Sequence, residues 1–195
     1  MLSRLLLASS SPRRQQLLSA AGFEFEIISP DVAERADPHL TARELTTWNA
    51  ARKSLTVARR HPENVVLAAD TVVLLDGAVI GKPADLADAA LILRRLSGRT
   101  HQVYSAVFIA HLAAAKMKVF CEVSHVRFRR LTGAQIESYL TKIDPLDKAG
   151  AYAAQGYGSE IIAEIDGSYS NVVGLPMEQT TRVLERLGIK PRAAS

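Results

Sequence analysis

Between Asn64 and Asp76 the chain reads Val65-Val66-Leu67-Ala68-Ala69-Asp70-Thr71-Val72-Val73-Leu74-Leu75, an apolar run broken only by Asp70 and Thr71. A run that does not alternate polar with apolar predicts a central strand buried on both faces. Within such a strand an aspartate is out of place. An unpaired buried carboxylate costs several kcal/mol, so it requires a metal, a cation or dense hydrogen bonding. The small Ala68 and Ala69 beside it leave room for a ligand. Asp70 is therefore the leading candidate for chemistry; the structural alternative is an aspartate at a strand end, satisfied by backbone N–H groups.

The flanking patterns predict a mixed α/β fold. Leu5–Ala8 is a short apolar run, and Ser11 and Pro12 then read as cap and first residue of a helix that stops near Gly22. Phe23–Ile28 alternates like a strand, and Pro30 to Pro38 reads as a polar loop. Thr41 and Glu44 form a capping box, behind which Leu45, Trp48, Ala51, Leu55 and Ala58 predict one buried helical stripe. Asp76-Gly77 signals a tight hairpin into Ala78–Ile80. Asp85–Leu96 reads as a helix ended by Gly98, and Gln102–Leu112 with Met117–Arg127 as a hairpin. Thr132 and Gln135 make a second capping box for a helix to about Lys142. Asp147–Gly158 reads as a loop or short helix, Ser159–Ile165 as a strand, Asp166–Pro176 as a loop and Met177–Leu187 as a closing helix. Hairpins beside strand–helix–strand units require a mixed sheet with flanking helices. No linker divides the chain, which predicts a single domain over residues 1–195, with two lobes sharing one core.

Composition excludes several classes. The 195 residues are 48% hydrophobic and 23% charged, ordinary for a globular protein and contrary to disorder. A net charge of +4, with arginines scattered over different elements, predicts no nucleic-acid partner. A single cysteine, Cys121, excludes an intrachain disulfide and any multi-cysteine metal site, and fits a reducing compartment. No stretch reaches the ~18 apolar residues of a membrane span, and Leu5-Leu6-Leu7 is too short for a signal-peptide core. The expectation is a soluble, cytoplasmic protein without a membrane partner.

Four further segments carry candidate residues. Ser9-Ser10-Ser11-Pro12-Arg13-Arg14 lies between a strand and a helix start, where free N–H groups and the helix dipole attract anions. Two arginines in a first turn oppose that dipole. Either an anionic ligand removes the conflict or both side chains are simply solvated. The segment is not a Walker A loop, since no Gly-Lys-Ser/Thr follows. Lys53, four residues after Asn49, and Lys82, between Gly81 and Pro83, could join the arginines around a triphosphate or be ordinary surface lysines. Gln155 stands in a glycine-rich stretch and offers one donor and one acceptor, matching the imide edge of uracil or thymine; the alternative is a surface turn. The five histidines show no metal-ligand spacing, and no Gly-x-Ser-x-Gly elbow is present.

Taken in order, several segments resemble the Maf family of nucleoside triphosphate pyrophosphatases, over nearly the whole chain. They are Ser9-Ser10-Ser11-Pro12-Arg13-Arg14, Ala68-Ala69-Asp70-Thr71-Val72-Val73, Gly81-Lys82-Pro83 and Leu96-Ser97-Gly98-Arg99-Thr100-His101. Later come Asp147-Lys148-Ala149-Gly150-Ala151-Tyr152, Gln155-Gly156 and Gly167-Ser168-Tyr169-Ser170-Asn171-Val172-Val173-Gly174-Leu175-Pro176. The resemblance implies an elongated, bilobed fold with a central cleft, related to that of the inosine triphosphatases. It implies hydrolysis of a nucleoside triphosphate to monophosphate and pyrophosphate with a divalent cation, Mg²⁺ or Mn²⁺, and it adds a homodimer as an expectation. Asp70 then matches the proton acceptor. Arg13, Thr71 and Gln155 match positions linked to substrate choice, and Arg14, Lys53 and Lys82 match positions near the phosphates, with Ser11 alongside. Asp70 and Glu34 are the expected metal-binding carboxylates.

The Ala-Tyr…Gln form of the late motif resembles the subgroup acting on dTTP and UTP. A sister subgroup preferring 7-methyl-GTP carries an acidic residue where Gln155 stands. Two positions depart from the pattern. Ala33-Glu34 occupies a stretch where the family often has Asp-Glu, which bears on metal affinity, and Ser54 stands where alanine is usual. The rival expectations are a 7-methyl-GTP or broad modified-nucleotide pyrophosphatase and a nucleotide-binding regulator of septum formation.

Overall fold

The computed structural model describes residues 3–35 and 37–192. Its elements in chain order are β1 (Leu5–Leu7), α1 (Pro12–Ala20), β2 (Glu26–Ile27), α2 (Ala42–Ala58), β3 (Val65–Leu75), β4 (Ala78–Ile80), α3 (Leu86–Leu96), β5 (Thr100–His111) and β6 (Lys116–Phe128). There follow α4 (Gly133–Leu140), a 3₁₀ turn (Ala149–Ala151), α5 (Gly158–Ile161), β7 (Ile162–Asp166), α6 (Tyr169–Val173) and α7 (Met177–Arg186). One seven-stranded sheet runs β2-β1-β3-β5-β6-β7, with β4 paired to β3. It is mixed: β1 is parallel to β2 and β3, while β3–β4 and β6–β7 are antiparallel. The expected sheet flanked by helices is what the chain forms.

The long apolar run is β3, over the expected residues, and its alternating side chains explain its composition. Contacts divide the chain into two compact units. The first comprises residues up to Asp70, Ser105–Glu122 and the chain from Gly174 onward. In this unit Leu5, Leu7, Val65, Leu67 and Ala69 pack with Leu18 of α1 and Leu184 of α7. Their neighbours in sequence, Leu6, Ala8, Val66 and Ala68, pack instead with Val57 and Ala58 of α2. Odd and even residues thus serve opposite faces. By the same count Asp70 falls on the face of Val66 and Ala68, the one covered by α2.

Helix α2 starts at the expected capping box: Glu44 N–H donates to Thr41 Oγ1 at 3.2 Å, and Thr41 N–H donates to the Glu44 carboxylate at 2.9 Å. Its buried stripe is only partly the expected one: Leu45 and Ala58 are buried, but the middle of the stripe is not. Trp48 is exposed and Ala51 and Leu55 are only half-buried, whereas Thr46, Asn49, Lys53 and Ser54 are buried. The helix is rotated so that polar groups face β3, and each finds a partner; Ser54 Oγ, for instance, donates to Val66 C=O at 3.1 Å. Trp48 instead lies outside, with the Arg35 guanidinium 5.9 Å from its ring centre.

The second unit comprises Thr71–Tyr104 and Val123–Val173. Asp76 (φ 51°) and Gly77 (φ 78°) form the expected tight turn between β3 and β4. Ile92, Leu93 and Leu96 of α3 share a core with Ile136 and Tyr139 of α4, Phe128 of β6 and Tyr152. The second capping box starts α4 as expected. Three expectations need correction. The strand expected at Ser159–Ile165 begins only at Ile162, after the single turn of α5; the loop at Asp166–Pro176 contains α6; and pairing at Phe23–Ile28 is confined to Glu26–Ile27. Helices of four or five residues are too short to show a period.

A buried imidazole sits in this second core. His101 is 1% exposed, its Nε2 lies 2.9 Å from Tyr152 Oη, and Phe128 and Tyr152 meet its ring edge-on. Burial lowers its pKa to about 4 from the ordinary 6.5. The unfolded chain therefore takes up a proton near pH 6.5, while the native state resists until about pH 4. The stabilisation is complete above pH 6.5 and is lost as the pH falls towards 4. At 1.36 kcal/mol per pH unit the loss is on the order of 3 kcal/mol. Urea unfolding of the wild type and His101→Gln at pH 7 and pH 4.5 measures it: the gap between them should narrow in acid, and parallel losses would refute a neutral buried His101.

Candidate functional site

Strand β3 presents Asp70 to the polar stripe of α2, and the two elements share an ion pair. Lys53 Nζ lies 2.7 Å from Asp70 Oδ1, and both side chains are under a tenth exposed. The same ammonium lies 2.7 Å from Glu34 Oε1 on the preceding loop, where the carboxylate is about half-exposed. Asn49, one helical turn before Lys53, donates from Nδ2 to Asp70 Oδ2 at 3.3 Å. Burial raises the Asp70 pKa; Lys53 pulls it down, the nearby Glu34 charge raises it and Arg14 lowers it, but burial prevails. The carboxylate is thus a stronger base than a solvated aspartate while still held by hydrogen bonds to its charged form.

Asn49 also fixes the loop that bears Glu34. Its Oδ1 accepts from Arg35 N–H at 2.9 Å and its Nδ2 donates to Arg35 C=O at 3.2 Å. Arg52 Nη1 donates to Ala33 C=O at 3.2 Å. Trp48, Asn49, Arg52 and Lys53 together hold residues 33–35 against α2. Sequence reasoning treated Asn49 only as a spacing mark for Lys53; the signal that could have found it is an amide on the helical face carrying Lys53, four residues away.

At the start of α1, Ser11 is half-buried and occupies the cap position, but its side chain makes no capping bond, contrary to expectation. Ser9 takes over locally: its Oγ accepts from Ser11 N–H and from Arg14 Nη1, each at 3.2 Å. Arg14 is buried, and its Nε donates to Gly174 C=O at 2.9 Å. Burial lowers its pKa, with Asp70 opposing the shift and Arg13 adding to it. The two arginines are therefore unlike. Arg14 is a fixed charge built into the floor near Asp70, and Arg13 is half-buried beside it. Ser9 and Gly174 are the partners that the sequence did not single out.

The structure brings Asp70, Lys53, Glu34 and Arg14 together within the first unit. Ser11 and Arg13, at the start of α1, lie in the same unit, and Thr71, Lys82 and Gln155 belong to the second. Thr71 follows Asp70 on β3 and is half-buried. Lys82 is exposed in a turn whose Gly81 C=O accepts from Gly150 N–H at 3.0 Å, tying two of the short motifs together. Gln155 is half-buried in the loop before α5.

Asp70 and Glu34 are hard oxygen donors suited to Mg²⁺ or Mn²⁺. Among the described residues no cluster of three or more histidines, cysteines or carboxylates forms a cage. The donor set fits a cation that takes its remaining ligands from a bound phosphate rather than from protein alone.

The hold of Asn49 on the loop bearing Glu34 is open to test. Asn49→Ala should cost about 1–3 kcal/mol in urea unfolding, because it removes a hydrogen-bond partner of the buried Asp70, and should speed hydrogen exchange at the Arg35 amide. An unchanged Arg35 exchange rate would show that Asn49 does not hold the loop.

Known proteins with this sequence pattern place the site in context. The chain is 42% identical over 190 residues to the dTTP/UTP pyrophosphatase of Bacillus pumilus (strain SAFR-032), covering 97% of this chain and all of that one. It is 46% identical over 187 residues to the dTTP/UTP pyrophosphatase of Symbiobacterium thermophilum, covering 96% and 95%. The fold is like that of the Staphylococcus aureus Ham1 protein, with a TM-score of 0.54 at 17% identity over 95% of this chain and all of that one. The model of the Maf-like protein family matches residues 4–187. That span takes in the Asp70–Lys53–Glu34 cluster, the buried Arg14 and the Gln155 loop alike, and the chain belongs to the Maf-like family.

Proposed function

We propose that this chain hydrolyses dTTP and UTP to the monophosphate and pyrophosphate, clearing these nucleotides from the pool. The observation that carries the reading is Asp70: a buried carboxylate with a raised pKa, flanked by Lys53 and Arg14. The names of the relatives support dTTP and UTP as the substrates.

In this reading water attacks the α-phosphorus as Asp70 takes its proton. The new bond joins the water oxygen to phosphorus, and the bond from phosphorus to the α–β bridging oxygen breaks. Pyrophosphate leaves with that electron pair. Lys53, Arg13 and Arg14 stabilise the charge that builds on the phosphates, with Lys82 assigned the same part. Ser11, at the N-terminal end of α1, is assigned to substrate through the anion-attracting start of the helix. Arg13, Thr71 and Gln155 are assigned to substrate choice, Gln155 by pairing its amide with the pyrimidine imide edge.

A divalent cation, held by Asp70 and Glu34 together with phosphate oxygens, would supply charge neutralisation and polarise the α-phosphate. Charge counting supports such a partner: Arg13, Arg14, Lys53 and Lys82 exceed Asp70 and Glu34 by only two positive charges, too little to balance a triphosphate. Lys53 orients both carboxylates, and its ammonium has three N–H donors, one more than its two carboxylate contacts use.

Product analysis on dTTP, UTP, CTP, ATP and 7-methyl-GTP tests the reading. Pyrophosphate with dTMP or UMP should form fastest, and a preference for 7-methyl-GTP would overturn the base assignment. Asp70→Asn should lose about 10²–10⁴ in rate or more, since a general base is worth that much; near-wild-type turnover would remove Asp70 from the reaction. Gln155→Ala should raise KM for dTTP and UTP about tenfold, with less effect on other bases. Equal losses on every base would count against base reading.

A further inference from the structure

The loop carrying Gln155 is closed at its base by contacts that no step of the reaction uses. Tyr139, on α4, is fully buried. Its phenol oxygen accepts from Ala153 N–H at 3.1 Å and donates to Ala153 C=O at 3.2 Å. Burial raises its pKa, so the phenol keeps the proton it donates. The chain returns against the same carbonyl: a Cβ on Gly158 would lie 2.7 Å from Ala153 O, a separation only glycine permits. Residues 154–157 therefore leave and return at one point, with Gln155 in the tip.

Just before this point Tyr152 is anchored as well, by His101 and by edge contact with Phe128. Between the two anchors and Gln155 only Ala154 intervenes after Ala153. An amide discriminates bases only when donor and acceptor are held close to their productive geometry, roughly within half an ångström. A short tip containing Gly156 does not hold itself to that tolerance.

We infer that Tyr139 is a positioning residue for nucleobase selection: its phenol, with Gly158 against the same carbonyl, fixes the turn that presents Gln155. Discrimination then depends on a side chain of α4 that need not touch the nucleotide. The inference rests on the reading of Gln155 as the base-recognising residue.

Steady-state kinetics with Mg²⁺ on dTTP and CTP test it in Tyr139→Phe, Gly158→Ala, Gln155→Ala and the Tyr139→Phe/Gln155→Ala double variant. Tyr139→Phe should lower the dTTP-to-CTP ratio of kcat/KM about three- to tenfold, mainly through KM for dTTP. Gly158→Ala should move the ratio the same way, and Tyr139→Phe should add nothing in the Gln155→Ala background. A purely structural tyrosine would lower Tm and slow both substrates equally, leaving the ratio where it was. If folded Tyr139→Phe keeps the wild-type ratio while Gln155→Ala loses it, the inference is overturned and the Gln155 reading stands. An unchanged ratio in Gln155→Ala overturns that reading and the inference with it. Should Tyr139→Phe fail to fold, Gly158→Ala decides by the same ratio.

Discussion

The buried contact between Lys53 and Asp70 governs how the first unit is built. Taking an ammonium and a carboxylate out of water costs several kcal/mol each, and their mutual attraction at 2.7 Å does little more than offset it. A pair of well-packed apolar side chains would hold α2 to β3 at least as firmly. Under the proposed reaction the pair makes sense as stored chemistry: a buried carboxylate, made more basic by burial, and held in place by a cation that also contacts Glu34. Its presence explains why the inner face of α2 is polar. Thr46, Asn49 and Ser54 share that face, and each is hydrogen-bonded, because an unsatisfied group beside the pair would add a further penalty.

The second unit solves a different problem with different groups. Its core carries no buried ion pair among the described residues. The polar side chains there are neutral, a histidine kept unprotonated and tyrosines kept protonated, each inside apolar packing with Phe128, Ile136 and Leu93. Neutral hydrogen bonds fix backbone positions without adding charge. Ala153 is held at both its N–H and its C=O, and Gly150 is held to Gly81.

Much of this was legible in the sequence, for identifiable reasons. β3 declared itself because a doubly buried strand tolerates almost no polar residue, so Asp70 stood out at once. Both capping boxes were readable because the reciprocal bonds need Thr and Glu or Gln three residues apart. The face of α2 was misread because periodicity counts only apolar residues. Trp48 fits the expected stripe by hydrophobicity, yet it is Asn49 and Lys53 that face β3. A helix whose inner face is polar hides its own orientation. α5 and α6 escaped notice because a single turn has no period to detect. The resemblance to known pyrophosphatases pointed to Asp70, Lys53 and Arg14 as candidates, but the partners that hold them, Ser9, Asn49 and Gly174, follow only from the geometry.

The geometry also bears on the substitution at Ala33. Where an aspartate is often found, this chain keeps only the main chain, and the main chain is what the loop uses: Arg52 takes the Ala33 carbonyl, and Asn49 takes both backbone groups of Arg35. Neither bond depends on the side chain at position 33. The loop therefore presents Glu34 to Lys53 without help from an acidic neighbour. What an aspartate would add is negative charge close to Glu34, and Glu34 already opposes the ionisation of Asp70. The departure thus leaves Glu34 as the carboxylate of this loop that meets Lys53, presented by bonds to the main chain of its neighbours on either side.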